Sequence, residues 1–170
     1  MANICCNYFT IRGDTKIIQK LIDASEHDFL AHMVPHDPEN GIYADWGTTR
    51  HEEPDWDQDI YLGNGQREVT GMFNSGWTPP ILAFEQYAKK HPSLYIELTY
   101  DEPGMQFFGI WDSDGRDEYY EWTPEEHHKI PQHLREQFDV DEEIAWLCDR
   151  YPDLLREYFP NQPVGEVMDE

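Results

Sequence analysis

The order of strand-like and helix-like segments restricts the fold of this chain more than any other feature of its sequence. Residues from Asn3 to Ile11 are rich in β-forming side chains, and apolar residues then recur with helical spacing from Ile17 to Ile22. Asp14 stands between the two segments, where its side-chain oxygen can cap the first helical turn. The start of the chain therefore predicts a strand followed by an amphipathic helix.

A hairpin and a second helix are predicted further along the chain. Ile60-Tyr61-Leu62 and the run from Val69 to Ser75 flank Gly63-Asn64-Gly65, and an Asn-Gly pair between two strand-like runs favours a tight turn. Pro80 suits the first turn of a helix that ends before His91-Pro92. Residues 34–54 contain three Pro and two Gly and show neither period, so they predict a long ordered loop.

Three more strands follow the second helix. The segment from Leu94 to Tyr100 alternates apolar and polar residues, which is typical of a half-buried strand. Gln106 to Trp111 and Glu118 to Trp122 predict an added hairpin around the turn Asp112-Ser113-Asp114-Gly115. The resulting β-α-β-β-α-β order predicts an α+β fold of the ferredoxin-like, split-βαβ type: an antiparallel sheet with two helices on one face. Its other face would present Tyr8 and Tyr95.

The sequence predicts two structural parts and a tail. Residues 1–122 form the ferredoxin-like domain, and residues 123–160 form an acidic helical extension that packs on it. Thr123-Pro124-Glu125-Glu126 has the pattern of a capping box, and further helices are predicted from Pro131 to Phe138, from Asp141 to Tyr151 and from Pro152 to Phe159. Residues 161–170 are predicted to be frayed.

Net charge excludes several classes of function. The chain of 170 residues has a formal charge of -23 at pH 7, so it lacks the basic face with which proteins bind nucleic acid or anionic lipid. Aromatic residues make up 14% of the chain, which favours a folded protein over a disordered one. No apolar run reaches the roughly 18 residues of a membrane span, and no signal peptide is recognisable. We therefore expect a cytoplasmic protein.

The sequence predicts no cofactor, no metal site and no catalytic activity. Cys5 and Cys6 are adjacent in a strand and Cys148 is distant, so the three cysteines indicate neither a disulfide framework nor an iron–sulfur site. His32 and His36 are separated by a proline, which disfavours a shared helical face. Asp55-x-Asp57-x-Asp59 begins like a calcium loop but lacks the required later Gly and Glu. The motifs of nucleophilic hydrolases and phosphate-binding loops are also missing.

Five short motifs occur in a set order along the first 122 residues: Met1-Ala2-Asn3-x-Cys5-x-Asn7, Ile11-x-Gly13-Asp14, Trp46-Gly47-Thr48, Trp77-x-Pro79-Pro80 and Tyr100-x-Glu102-Pro103-Gly104-x-x-Phe107-x-Gly109. Together they resemble the YubB ferredoxin-like family of plasmid and phage proteins. The resemblance implies a ferredoxin-like fold and an origin on a mobile element in a bacterial host, and it implies no catalytic activity or cofactor. Ile4 departs from the family pattern, in which a Trp is common at that place.

The motif residues have two interpretations. They could line a ligand pocket, or they could fasten the loops to the core, because Trp and Tyr bury large areas and keep one polar group. The sequence favours the second interpretation and leaves the first open. The candidate pocket residues are Trp46, Trp77, Tyr100, Glu102 and Phe107.

Acidic residues form the second candidate site, a surface for a basic partner protein. The predicted contact residues are Asp112, Asp114, Asp117, Glu118, Glu121, Glu125, Glu126, Asp141, Glu142 and Glu143. Rows of carboxylates can approach the charge density of duplex DNA and would attract a basic nucleic-acid-binding groove. The leading hypothesis is thus a non-enzymatic mobile-element protein that binds a host nucleic-acid-processing or defence protein as a DNA mimic. Two alternatives remain: a small-ligand-binding or uncharacterised activity near Trp46 and Trp77, or acidity that serves only solubility.

Overall fold

The computed structural model describes residues 3–25 and 27–158. The chain divides into two compact units, of which the first ends at Tyr119 and the second begins at Tyr120. The first unit holds the elements β1 (Ile4–Asp14), α1 (Thr15–Ser25), α2 (Phe29–Met33), α3 (Ile42–Trp46), β2 (Asp55–Gly63), β3 (Gln66–Gly76), α4 (Ile81–Lys90), β4 (Tyr95–Glu102) and β5 (Phe107–Asp112). The boundary falls within β6 (Asp117–Glu121).

The sheet is open, six-stranded and antiparallel, with the strand order β2-β3-β1-β4-β5-β6. The protein is therefore an α+β protein, as the sequence predicts. β1 is a central strand and pairs with β3 along its whole length, from Ile4 opposite Gly76 to Asp14 opposite Gln66. On its other side, β1 pairs with β4. The two strands of the sequence-predicted hairpin, β2 and β3, form one end of the sheet.

One face of the sheet carries the hydrophobic core. Alternate residues of β1 and β4, such as Phe9, Ile11, Ile96 and Leu98, are buried together with side chains of α1 and α4. This alternation confirms the half-buried character predicted for the strand after Leu94. Both long helices of the first unit thus pack on the same face. Their apolar core residues are Ile18, Leu21, Ala83, Phe84 and Tyr87.

Local signals in the sequence mark the element boundaries well. The Asp14 carboxylate accepts hydrogen bonds from the backbone N–H groups of Lys16 (2.8 Å) and Ile17 (3.3 Å), as predicted for the cap of α1. Asn64 and Gly65 both have positive φ angles, 53° and 75°, which a primed hairpin turn requires. The hairpin predicted from the Asn-Gly pair is confirmed.

Two local predictions are wrong. The sequence predicts a loop throughout residues 34–54, but this segment contains the five-residue helix α3, which is too short to show a helical period in the sequence. The capping-box pattern of Thr123 to Glu126 predicts the start of an α-helix, but these residues form a turn, which is followed by a short 3-10 helix over His127–Lys129. A longer α-helix is prevented by Pro131, since the residue before a proline disfavours helical geometry, and Ile130 is extended (φ -71°, ψ 127°).

The described part of the second unit begins with the end of β6 and a turn and continues as short helices. It contains α5 (Gln132–Gln137), α6 (Val140–Arg150), a 3-10 turn (Pro152–Leu154) and α7 (Leu155–Tyr158), which correspond to the helices predicted there. The tail predicted to be frayed, residues 161–170, lies outside the described residues. Among the helices that the structure describes, none has the combination of length and apolarity needed to cross a bilayer.

Candidate functional site

Motif residues at the start of β1 form a buried polar network. The amide nitrogen of Asn7 lies 2.9 Å from the Cys5 carbonyl oxygen, 3.1 Å from that of Phe73 and 2.9 Å from the Ser75 hydroxyl oxygen. Ser75 in turn donates to the Thr78 carbonyl (2.8 Å). Burial raises the pKa of the Cys5 thiol, with a further contribution from the nearby Asp101 carboxylate, so Cys5 is a poor nucleophile here.

A second motif ties the loop after α3 to the end of β3. The Thr48 hydroxyl donates to the carbonyl of Gly76 (2.9 Å), and the Thr78 hydroxyl donates to that of Gly47 (2.6 Å). Gly47 ends α3 in the left-handed conformation (φ 82°), which favours glycine. Trp46 is buried, and its indole N–H donates to the Val34 carbonyl (2.8 Å). These contacts fix the loop.

The third group of motif residues lies on β4 and β5. Gly109 faces Tyr100 across the sheet, and a Cβ atom on Gly109 would lie 2.2 Å from the Tyr100 hydroxyl, so no larger residue fits. The buried Glu102 carboxylate accepts the backbone N–H groups of Gly104 and Met105, which closes the Glu102-Pro103-Gly104 turn. Burial raises the pKa of Glu102, and these two hydrogen bonds oppose the rise.

The five residues that could line a pocket differ in their burial and in their contacts. Trp46, Tyr100, Glu102 and Phe107 are at most 5% exposed, while Trp77 is 46% exposed and has a strained φ of 71°. Tyr100 and Phe107 contact each other edge to face, with ring centroids 6.3 Å apart. Trp46 contacts His36 and His51 instead. Neither of the two surface grooves described below includes any of these five side chains.

Five carboxylates lie in the β5–β6 turn or on the strands beside it, and we call them the acidic hairpin cluster: Glu97, Asp112, Asp114, Asp117 and Glu118. Glu97 on β4 pairs in register with Asp112 on β5. Asp112 shapes the turn, because its carboxylate accepts the backbone N–H groups of Asp114 (2.8 Å) and Arg116 (3.0 Å).

Arg116 is the basic residue inside this hairpin. Its guanidinium binds Glu118 through two hydrogen bonds of 3.0 and 3.1 Å, and this contact, aided by Glu97 and Asp112, raises the pKa of Arg116. Burial raises the pKa of the neighbouring Tyr95 to about 12, and Glu97 adds to this rise. The Glu97 carboxylate accepts a hydrogen bond of 2.9 Å from the Tyr95 hydroxyl. Asp114 and Asp117 are exposed. One guanidinium therefore balances only part of the charge of five carboxylates.

A groove of about 380 Å³ adjoins this cluster. The turn contributes Asp112 and Asp114, and the end of α4 contributes Glu85 and Lys89, which form an ion pair with each other (2.8 Å). The groove therefore extends the acidic hairpin cluster along the side of the sheet that carries the helices.

The other predicted contact residues lie at the start of or within the second unit. Glu125 and Glu142 are exposed, while Glu126 pairs with Lys129 (2.7 Å) and Asp141 pairs with Arg135 (2.9 Å). Asp141, Glu142 and Glu143 occupy the first turn of α6, where acidic side chains stabilise a helix through its dipole. Glu121 is exposed at the end of β6. Four of the ten residues therefore belong to the first unit and six to the second.

The face of the sheet opposite α1 and α4 has a groove of about 340 Å³ that sequence reasoning missed. Tyr8 and Met72, which are 45% and 38% exposed, give it an apolar floor, and Asp57 and Glu97 add carboxylates. The alternation in β1 indicated that Tyr8 would lie on this face. Asp57 could not be placed from the sequence, because a bulge between Trp56 and Gln58 changes the register of β2 against β3.

Comparison with known proteins does not extend these observations. No model of a protein family matches the chain, and searches of curated proteins and of solved structures give no match either.

Proposed function

We propose that this chain is an acidic, non-enzymatic protein of a mobile genetic element in a bacterial cytoplasm, and that it binds a basic host protein that processes nucleic acid or acts in defence. The protein would occupy the nucleic-acid site of that partner as a DNA mimic. The first unit would be a ferredoxin-like domain of the YubB type. The strand order β2-β3-β1-β4 with α1 and α4 on one face supports a ferredoxin-like fold for this unit, because a split-βαβ fold requires that arrangement.

The acidic hairpin cluster is the observation that carries the proposed interaction. Asp112 fixes the turn through two backbone hydrogen bonds, Arg116 binds Glu118 and the Tyr95 hydroxyl binds Glu97, so three of the five charges are held in place before a partner arrives. Preorganised charge costs less entropy on binding than charge on a mobile chain. A basic groove would be attracted over a distance of about 10 Å at 0.1 M salt, and the attraction would weaken at higher salt.

The buried state of the motif residues supports a binding protein rather than an enzyme. Tyr100 and Glu102 are at most 2% exposed, and Glu102 is occupied in closing its own turn. Burial raises the pKa of Cys5, so little thiolate forms at neutral pH. These residues, which carry the family resemblance, act as structural contacts in the first unit.

The experiment compares wild-type protein with the double variant Asp114→Lys/Asp117→Lys in pull-downs from a bacterial lysate at about 50 mM salt. Both residues are exposed, so the substitutions should leave the fold intact. We expect the wild type to recover basic nucleic-acid-binding proteins and to release them when excess duplex DNA is added. We expect the variant to recover at least about tenfold less, because reversing interfacial charges costs more than 1.4 kcal/mol.

The matched control is the double variant Asp23→Lys/Glu39→Lys, which changes the net charge by the same amount at exposed positions away from the cluster. It should retain recovery close to that of the wild type. The proposal fails if duplex DNA does not compete, if the hairpin variant recovers as much as the wild type, or if no basic protein is recovered.

The alternative of a small-ligand-binding domain has one specific observation in its favour. The open-face groove combines the exposed ring of Tyr8 with Asp57 and Glu97, a set that suits an organic cation. Under this alternative, Tyr8→Ala would abolish ligand binding, and the lysine variants at Asp114 and Asp117 would not, since neither residue lines that groove.

A further inference from the structure

Three side chains of the first unit converge at a place that the proposed interaction does not use. Asp28 lies directly before α2, and His51 and Glu53 lie two residues apart in the segment that leads into β2. One ligand atom from each of the three, an imidazole nitrogen and two carboxylate oxygens, lies within 4.8 Å of the others. This group joins two stretches of chain that are more than twenty residues apart.

His51 is the residue that indicates a ligand. Its side chain is only 9% exposed, and its Nε2 atom lies 3.4 Å from the Asp28 Oδ1 atom. Nε2 nevertheless has no hydrogen-bond partner of acceptable geometry among residues 3–25 and 27–158. A buried ring nitrogen without a partner is unfavourable, and a cation placed between it and the carboxylates would remove that cost.

The position of the His51 ring is fixed from outside the cluster. Its backbone forms a bridge to Ser75 at the end of β3, and the Trp46 indole contacts its ring edge to face, with centroids 5.3 Å apart. The Trp46 indole is itself held by the Val34 carbonyl. Nε2 therefore points toward the carboxylates because of packing.

The two carboxylates are also held in place. Asp28 caps α2 by accepting the backbone N–H of Ala31 (2.9 Å), and Glu53 accepts that of Phe29 (3.1 Å). Asp28 makes this contact through Oδ1, the oxygen that also lies 3.4 Å from His51 Nε2, and each carboxylate oxygen keeps a further lone pair that can bind a cation. Such outer hydrogen bonds orient carboxylate ligands in known metal sites.

We propose that Asp28, His51 and Glu53 bind a divalent transition-metal ion of the zinc class. One imidazole and two carboxylates form a mixed nitrogen and oxygen set, which suits Zn²⁺ better than Mg²⁺ or Ca²⁺. Two ligand atoms about 2.1 Å from a tetrahedral ion lie roughly 3.4 Å apart. The distance between His51 Nε2 and Asp28 Oδ1 has this value, and Glu53 needs only a small side-chain movement to complete the set.

Other histidine and aspartate pairs in the described chain differ from this group. His36 Nδ1 lies 2.9 Å from Asp45 Oδ2 in a closed hydrogen bond, which leaves that nitrogen no space for an ion. Asp141, which lies 3.3 Å from His127 Nε2, already binds the Arg135 guanidinium at 2.9 Å. The group around His51 is distinguished by its nitrogen, which is buried, fixed and lacks a hydrogen bond.

The test is calorimetric titration of the full-length protein with Zn²⁺, and separately with Mg²⁺. The variants are Asp28→Asn and Glu53→Gln, because Asn still caps a helix and Gln still accepts the Phe29 N–H. We expect the wild type to show one site that is tighter than any other and to bind Mg²⁺ more weakly. Each variant should weaken the tight site at least about tenfold.

His36→Gln is the matched control, since it removes a histidine of the same loop region that lies outside the cluster. It should leave the tight site unchanged. Circular dichroism of each variant confirms that it is folded. As an independent readout, the thermal midpoint should rise with Zn²⁺ in the wild type and in His36→Gln, and should rise less in Asp28→Asn and Glu53→Gln. The proposal is overturned if Zn²⁺ shows no tight site, or if Asp28→Asn and Glu53→Gln both bind it within about twofold of the wild type.

Discussion

At the scale of single residues, the motifs of this chain are explained by buried contacts that tolerate little change. Asn7 bridges β1 and β3, and Thr48 fastens a loop to the end of β3. Gly109 has to be glycine because Tyr100 occupies the space of its missing side chain. The Asn7 amide and the Thr48 hydroxyl supply buried hydrogen bonds, and Gly109 leaves space for the Tyr100 hydroxyl.

Glu102 allows a prediction about pH. Its pKa is raised because burial disfavours the charged form, although the N–H groups of Met105 and Gly104 lower it. The unfolded chain should titrate this carboxyl near about 4.3. The folded state therefore binds this proton at a higher pH than the unfolded state does. As the pH falls through the folded-state pKa of Glu102, protonation of this group increases the free energy of unfolding of the wild type. At pH 7 the wild type retains the cost of a buried charge.

We expect Glu102→Gln to be more stable than the wild type at pH 7, with an advantage that shrinks as the pH is lowered toward about 4. The measurement is the free energy of unfolding by urea at several pH values. Glu39→Gln, at an exposed position, corrects for the loss of one negative charge from the whole chain. An advantage for the Gln variant that grows on acidification would contradict this assignment.

Residue-level predictability was uneven. The Asp14 cap and the Asn64-Gly65 turn were predictable because each depends on neighbours in sequence. The group of Asp28, His51 and Glu53 was missed because its members come together only through tertiary packing. The spacing of His51 and Glu53, which places both on the same side of an extended segment, was the signal that could have suggested it.

At the scale of elements, the edge strand β2 is the most exposed part of the sheet. Ile60, Tyr61 and Leu62 are 44%, 67% and 49% exposed, and within the described residues one edge of this strand carries no neighbouring strand. Such an edge is a template for pairing with other chains. Asp55 and Asp57 are also exposed, and their charges oppose that pairing.

We expect Asp55→Thr/Asp57→Thr to associate more strongly than the wild type, because the substitutions remove two charges from the edge and raise its β propensity. Sedimentation velocity over a range of protein concentrations measures this as an increase in weight-average mass. Glu39→Gln/Asp114→Asn removes the same number of charges elsewhere and should behave as the wild type does. If both double variants keep the wild-type mass at all concentrations, the two aspartates do not protect the edge.

Elements with a clear period were predictable, and the short helix α3 was not. β1, β4, α1 and α4 each bury one regular set of apolar positions, so their sequences show the period. α3 buries only Trp46 and exposes Ile42 and Tyr43, so its sequence shows no apolar stripe. Its position is determined by the contacts of Trp46 and Gly47 with distant parts of the chain.

At the scale of the whole molecule, a net charge of -23 opposes the compact state through self-repulsion. The ion pairs of the described residues offset this weakly, since pairs such as Lys89–Glu85 and Lys129–Glu126 are largely exposed. Exposed pairs contribute between about 0 and 1 kcal/mol each. Repulsion among the excess carboxylates should therefore dominate the response of stability to salt.

We expect the thermal unfolding midpoints to rise by several degrees when NaCl is increased from about 0.01 to 0.1 M, because the screening length falls from about 30 to 10 Å. Differential scanning calorimetry at constant pH measures each transition, which matters because the chain forms two compact units. Asp114→Lys/Asp117→Lys reduces the net negative charge and should show a smaller rise. Midpoints that fall or stay constant over this range would mean that salt-sensitive ion pairs outweigh the repulsion. The acidity would then be tolerated by the fold without cost, which weakens the argument that it is kept for binding a partner.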